Sequence, residues 1–344
     1  MAWNAVRMPV LECPKHMEYG PCGGVEFDGT CEVADFRCVF LELPTVRWHG
    51  LTEDVPSTAG ATAMRSLMAT RPVVIADFPA RALDAESIAE CGVLLAGSVD
   101  AVLAGDAGSA RVQFPPAYRA ALIQATGLQV WSGLTCRDRN RVAMEGELAA
   151  LAHVDVAGVH CVTGDHTNTG ERPDAMPVFD LDSTQAASLA RANGHLVSVA
   201  EAPATPPVDR RPDRLLEKMR AGAEVCFVNH SGGAAPVATF VARAQDLGAA
   251  MKFIPCIPVV VDRASAELLE TFTTLVLPEG YLTRILAATD PFTEGIAAAV
   301  ELGREFLEID GVVGVNLSGG TGPGREAWFA EALATIGREL GGMP

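Results

Sequence analysis

From Arg71 onward the chain alternates eight times between a short apolar run and a helix-compatible stretch. This alternation limits the fold more than any other feature. The apolar runs are Val73–Phe78, Val99–Ala104, Leu128–Leu134, Val156–Val162, Leu196–Ala200, Glu224–Asn229, Lys252–Val261 and Gly311–Leu317. Helices are predicted near 84–91, 115–125, 141–153, 183–193, 211–221, 236–247 and 264–305. The last helix spans 325–340, where Phe329, Leu333, Ile336 and Leu340 share one face. Eight strand–helix units over about 270 residues match the count and length of a (β/α)8 TIM barrel. A doubly wound open sheet is the competing reading. It wants a glycine-rich turn after the first strand, and Asp77-Phe78-Pro79-Ala80 stands there instead.

Residues 1–50 read differently. Cys13, Cys22, Cys31 and Cys38 are spaced among glycines and prolines, around Gly20-Pro21-Cys22-Gly23-Gly24. Such a stretch buries too little apolar surface to fold alone, and metal ligation is the usual remedy. Four thiolates suit a tetrahedral zinc or an iron–sulfur cluster; a loop of reduced, buried thiols is the alternative. The reading is therefore a small cysteine-rich, metal-binding module over 1–50, a linker and lead-in helix over 51–70, and the barrel over 71–344. Trp3 and Trp48 lie outside the barrel and are placed to dock the module on it.

Of the chain's 344 residues, 49% are hydrophobic, ample for a large core, and the net charge is −17. So acidic a surface repels phosphate backbones, which argues against nucleic acid and anionic membranes. No apolar run reaches membrane-span length, and the N-terminus lacks a signal-peptide core, so a cytoplasmic location is expected. Nine cysteines in that compartment point to ligands or buried thiols, not disulfides.

In a barrel the chemistry collects where strands end and loops begin. The strand ends here offer Asp77, Asp106, Cys136 to Arg139, Asp165 with His166, Glu201, Asn229 with His230, Cys256, and Asn316 with Ser318. Residues up to 240 apart in sequence would then share one mouth. Asp138, with Arg137 and Arg139, is read either as ligand-binding or as an ion-pair network at the rim. The glycine-rich loop Gly319–Gly324 precedes the last helix and reads as a backbone phosphate cradle or a flexible turn.

Three stretches carry a resemblance. Thr135-Cys136-Arg137-Asp138-Arg139-Asn140, Thr163-Gly164-Asp165 and Val178-Phe179-Asp180-Leu181-Asp182-Ser183, in this order, closely resemble the methylenetetrahydrofolate reductase family. The likeness is strongest to the form fused to homocysteine methyltransferases and runs more thinly over residues 72–320. The N-terminal cysteine pattern resembles the module that accompanies some of these reductases as a partner subunit or C-terminal extension. That implies a structural or electron-transferring role, and a surface for a partner subunit or a second copy of the chain.

The resemblance implies hydride transfer between 5,10-methylenetetrahydrofolate and 5-methyltetrahydrofolate, in one-carbon metabolism and methionine biosynthesis. The hydride would come from FAD or directly from NAD(P)H. It implies that Asp165 stabilises charge and that Thr135, Thr163 and Gly164 lie by the cofactor. Lys218 matches a lysine that contacts flavin phosphates, and Asn229 matches a folate-contacting glutamine. His230, at the sixth strand end, and Asn316, at the eighth, are read as further substrate contacts. A pterin's N3–H and 2-amino donors suit carboxylate and amide acceptors. The family's catalytic glutamate on the first strand falls on Ala76, with Asp77 one step later. One step along a strand reverses the side chain's face. Either a bulge re-aims Asp77, or Glu201 supplies the acid. Two other readings are a tetrahydrofolate-binding methyltransferase, acting with a corrinoid protein or a methoxylated substrate, and a non-catalytic electron-transfer subunit.

Overall fold

A computed structural model describes residues 13–50, 55–106 and 108–341. The expected Trp3 contact therefore lies outside the described residues. Eight parallel strands close into one barrel in sequence order, β1 Val73–Asp77, β2 Ala101–Ala104, β3 Val130–Thr135, β4 Gly158–Val162, β5 Val197–Glu201, β6 Val225–Val228, β7 Lys252–Pro258 and β8 Gly314–Ser318. β8 pairs back on β1 through Val73↔Gly314 to Ala76↔Leu317. The fold is the (β/α)8 TIM barrel that the alternation predicts.

The surrounding helices begin with α1 Ala59–Thr70, which precedes the first strand. After the strands in turn come α2 Ala85–Leu95, α3 Pro116–Gln124, α4 Arg141–His153, α5 Ser183–Ala192, α6 Arg211–Arg220 and α7 Ala234–Asp246. The stretch 264–305, read as one helix, is three: α8 Arg263–Glu270, α9 Tyr281–Leu286 and α10 Pro291–Leu307. Pro278, Gly280 in the left-handed region and the Asp290 cap on Pro291 break it. α11 Glu326–Gly341 closes the ring.

Several polar residues of the recognised stretches turn out to be helix caps. Asn140 Oδ1 accepts from Ala143 N, and Asp180 from Arg141 N, at the start of α4. Asp182 forms a capping box with Gln185 at the start of α5. These residues fix where loops turn into helices; substrate contact is not needed to explain them.

Inside the barrel the pleat aligns Val73, Ile75 and Asp77 with Ala101 and Leu103, Trp131, His160, Phe227, Ile254, Cys256 and Asn316. Alternate residues such as Ala76, Val102, Leu134 and Val199 face the helix layer in a separate core. α1 plugs the bottom, burying Ala61, Met64 and Met68 against this inner cluster, each Met worth roughly 1.5–3 kcal/mol. Gly60 is required there, because a Cβ would stand 2.4 Å from the Asp155 carbonyl oxygen.

His160 sits among the inner side chains with Nδ1 2.9 Å from Ser198 Oγ. Burial, with Lys218 nearby, pulls its pKa down from 6.5 to about 3. The unfolded chain thus binds the extra proton between those values, and stability falls as pH drops from 6.5 toward 3. Thermal melts across that window should show a shallower acid loss for His160→Gln than for the parent; an unchanged slope would contradict the assignment.

The cysteine module is pinned by two short antiparallel bridges, Val25↔Cys31 and Thr30↔Arg37. It lies on the barrel's β4–β6 side. Trp48 N donates to Glu217 Oε2 at 2.6 Å, Gln185 Nε2 to Glu18 Oε2 at 3.1 Å, and Arg211 Nη1 to the Cys22 carbonyl at 3.0 Å. The Trp48 ring packs on Tyr19. Among the described residues, no helix is long and apolar enough to cross a membrane.

Candidate functional site

Asp77 ends β1 on the inward face, with no bulge: Ile75, Ala76 and Asp77 pair in unbroken register with Ala101, Val102 and Leu103. It is Ala76 that points to the helices. Asn316, on the adjacent inward position of β8, donates Nδ2–H to Asp77 Oδ1 at 2.9 Å, and Gly319 N–H donates to Oδ2 at 3.2 Å. Cys256 of β7 completes the floor, its Sγ 3.6 Å from Asn316 Nδ2. Burial pushes the Asp77 carboxyl above the ordinary carboxylate range, and hydrogen bonds from Asn316, Ser318 and Gly319 offset part of that. The same burial, with Asp77 beside it, drives the Cys256 thiol up to about 12. Asp77 is therefore a carboxyl that holds a proton more tightly than usual, at the C-terminal end of β1.

The β3–β4 rim is differently built. Thr135 Oγ1 accepts from Arg137 N at 3.0 Å, and Thr163 Oγ1 from Ser183 N at 3.2 Å. Gly164 has φ +88, and a Cβ there would meet Thr135 Oγ1 at 2.5 Å. This lets the chain turn Asp165 outward, exposed, 3.1 Å from Arg111 Nη1. Arg111, buried with φ +60, also donates to Gly108 O and Thr169 Oγ1. Arg137 is buried against Asp106 and 3.6 Å from Asp138, which in turn pairs with Arg139. These residues form the rim ion-pair network. Cys136 faces the helix layer, and His166 caps the turn at 167–169 by accepting from Asn168 N.

Glu201 lies outside the mouth. It sits on the outward face of β5, buried, with Oε1 3.2 Å from Arg211 Nη1 and Oε2 2.8 Å from Lys218 Nζ. Burial raises its carboxyl, but Lys218 and Arg211 outweigh this and hold it below the usual range. Glu201 is thus an ionised partner of two cations. Lys218 is equally committed, since its ammonium also donates to Ala200 O at 2.7 Å. It does not face the mouth, so the expected contact with flavin phosphates does not fit the residues present. Asn229 continues the inward alternation past β6 and is exposed, its N–H bonded to Glu201 O. His230 is half-buried and faces the Cys256 backbone, yet neither ring nitrogen closes a hydrogen bond; burial lowers its pKa to about 4.

The module brings residues to this region that the strand-end reading does not include. Lys15 is buried in an ion pair with Glu32. Burial pulls its ammonium down, but Cys22, Glu32 and Asp165 outweigh this and hold it protonated. Arg211 bridges the Cys22 loop to Glu201. No sequence signal links Lys15 to Asp165, 150 residues on, or Arg211 to the Cys22 loop, 189 residues back. Arg111 owes its place to a left-handed backbone that a non-glycine residue does not advertise.

Cys13, Cys22, Cys31 and Cys38 line one cavity of about 20 Å³. Burial, and then the neighbouring thiols, push Cys38 up to about 11 and raise Cys13. Gly24 N–H points at Cys22 Sγ at 3.4 Å. Four thiols around one cavity are a donor set that a tetrahedral ion or an iron–sulfur cluster takes. As placed, no set of three or more His, Cys, Asp or Glu among the described residues is close enough to coordinate a metal, so ligation requires the thiols to move inward. Cys22→Ser should release about one metal equivalent on metal analysis and expose the module to proteolysis; unchanged metal content would remove Cys22 from the ligand set.

Residues 1–53 match the family described as methylene-tetrahydrofolate reductase C terminal. No curated protein matches the chain in sequence. Among solved structures, an uncharacterized protein from Clostridium thermocellum that binds two copies of 5-methyl-5,6,7,8-tetrahydrofolic acid aligns over 79% of this chain and 97% of its own, at 11% identity and TM-score 0.58. A 2,3-dimethylmalate lyase of the PEP mutase/isocitrate lyase superfamily aligns over 75% and 89%, at 16% identity and TM-score 0.43. The chain thus joins an N-terminal segment that matches the methylene-tetrahydrofolate reductase C terminal family to a (β/α)8 barrel.

Proposed function

We propose that the barrel mouth binds a reduced folate and that the chain is a methylenetetrahydrofolate reductase-like enzyme of one-carbon metabolism. The observation that carries this reading is the inward Asp77–Asn316 pair. A tight-holding carboxyl and a carboxamide, side by side at the base of the mouth, match the alternating polar edge of a pterin. Asp77 is the acid that protonates the folate nitrogen as the methylene bridge opens. Asp165, held by Arg111, lies at the rim and tempers charge that develops there. The family match of residues 1–53 supports the same metabolic setting.

A second reading, methyl transfer from a methylated folate without redox chemistry, is favoured by one observation: Lys218 is sequestered by Glu201 and Ala200 O, which leaves flavin phosphates without that cation. Methyl transfer needs the same acid near the folate nitrogen and no hydride donor. The full-length protein should be incubated with 5,10-methylenetetrahydrofolate and NADH or NADPH, with absorbance followed for nicotinamide oxidation and for any bound flavin. Oxidation that requires the folate supports the reductase. Saturable folate binding without oxidation supports methyl transfer. Absence of both refutes the folate reading.

A further inference from the structure

The cavity of the cysteine module holds more than thiols. Lys15 and Glu32 line it together with Cys13, Cys22, Cys31 and Cys38, and among the described residues on its wall they are the only cation and the only acid. Lys15 comes two residues after Cys13, and Glu32 directly follows Cys31. The segments that carry two of the thiols therefore carry the charges as well. The two side chains form an ion pair, only 5% and 8% exposed. Glu32 N–H donates to the Gly24 carbonyl at 3.1 Å, beside the Cys22 turn, and Thr273 Oγ1 of the barrel donates to Glu32 Oε2 at 3.3 Å. The rest of the wall is apolar, with Met17, Val25 and Phe40 buried.

A buried ion pair adds little to stability, because the desolvation of both charges offsets their attraction. Its place on the wall of a four-thiol cavity gives it another use. A metal takes cysteines as thiolates. Four thiolates outweigh the charge of a zinc ion, so the loaded site is an anion set among apolar side chains. Outer donors around the ligands then decide how tightly the metal is held. Gly24 N–H already points at Cys22 Sγ at 3.4 Å. Lys15 is the one cation on the wall, within electrostatic reach of Cys22 as well as of Glu32. We infer that Lys15 is the charge-balancing residue of the four-cysteine site and that Glu32 opposes it: Lys15 pairs with Glu32 while the cysteines are thiols, and with the Cys22 thiolate once a metal is held. Lys15 thus raises metal affinity and Glu32 lowers it.

Zinc is the probe for the test. Metal-stripped full-length parent and variants are titrated with zinc against a chromophoric chelator, and with cobalt(II), whose visible bands report four-thiolate coordination. Lys15→Met should weaken zinc binding by about 10- to 100-fold, and Lys15→Arg should hold it near the parent's. Glu32→Gln should tighten it by about tenfold, since it removes a negative charge beside the loaded site and leaves Lys15 to the thiolates. The opposite signs carry the test. Both Lys15→Met and Glu32→Gln break the ion pair, so a pair that merely braced the module would give weaker zinc binding in both. Circular dichroism and thermal melts establish that the barrel is folded in each variant, and where Lys15→Met loosens the module before metal is added, Glu32→Gln decides. Unchanged affinity in Lys15→Met, or affinity not tightened in Glu32→Gln, overturns the inference. So does a parent that takes up no zinc or shows no four-thiolate cobalt bands. The folate reading stands or falls separately from all of these outcomes.

Discussion

Glu201→Gln is expected to destabilise the fold by roughly 3–5 kcal/mol, because it leaves Lys218 and Arg211 buried without their counter-charge. Both cations are almost inaccessible to solvent and reach the carboxylate at 2.8 and 3.2 Å, so water cannot replace the lost partner. Arg211 also holds the Cys22 carbonyl, and the loss should loosen the module as well as the β5–α6 wall. Denaturant unfolding measures the first effect, and hydrogen exchange over residues 13–50 the second. If Glu201 were instead the catalytic acid, the variant would keep its stability and lose only turnover. The two outcomes separate a wall residue from a mouth residue.

Asp77→Asn should behave in the opposite way. Turnover should fall by about 10²- to 10⁴-fold, the usual contribution of a positioned general acid, while the fold persists. The pH dependence follows from the raised carboxyl. The native state keeps the proton to higher pH than the unfolded chain, whose aspartates titrate near 3.9. Between those two values the native state binds more protons, so the parent loses stability as pH rises. Asn does not titrate, so the melting temperature of Asp77→Asn relative to the parent should climb through that window and then level off. A gap independent of pH would mean that Asp77 is not the strained group that the geometry describes.

The architecture was legible because it is written as a period: eight apolar runs separated by amphipathic stretches admit few other closures. The helix expected over 264–305 was the exception, since Pro278, Gly280 and Asp290-Pro291 interrupt a pattern that stays apolar on both sides of each break. The site was legible only in part. Strand-end reading places Asp77, Cys256 and Asn316 at one mouth, because any inward residue at a strand's end must arrive there. Which parity is inward depends on the pleat of the closed barrel. That is why Asp77 needs no bulge to enter the mouth, and why Glu201 and Cys136 leave it. Lys218 is assigned by likeness to a cofactor contact, but its environment is decided by Glu201, seventeen residues earlier, across a helix–strand interface that local sequence does not encode. Asn140, Asp180 and Asp182 sit in the most recognisable stretches and serve as helix caps, so a motif's polar residues need not all be chemical. The Arg211–Cys22 and Arg111–Asp165 contacts join segments far apart in sequence, and no local pattern announces them.

The most direct test of the central claim is an isothermal titration of 5-methyltetrahydrofolate into the full-length protein and into Asp77→Ala. Saturable binding by the parent, weakened at least tenfold in the variant (~1.4 kcal/mol), is the predicted result. No saturable binding by the parent, or equal affinity in a folded Asp77→Ala, would contradict a folate site built on the Asp77–Asn316 floor.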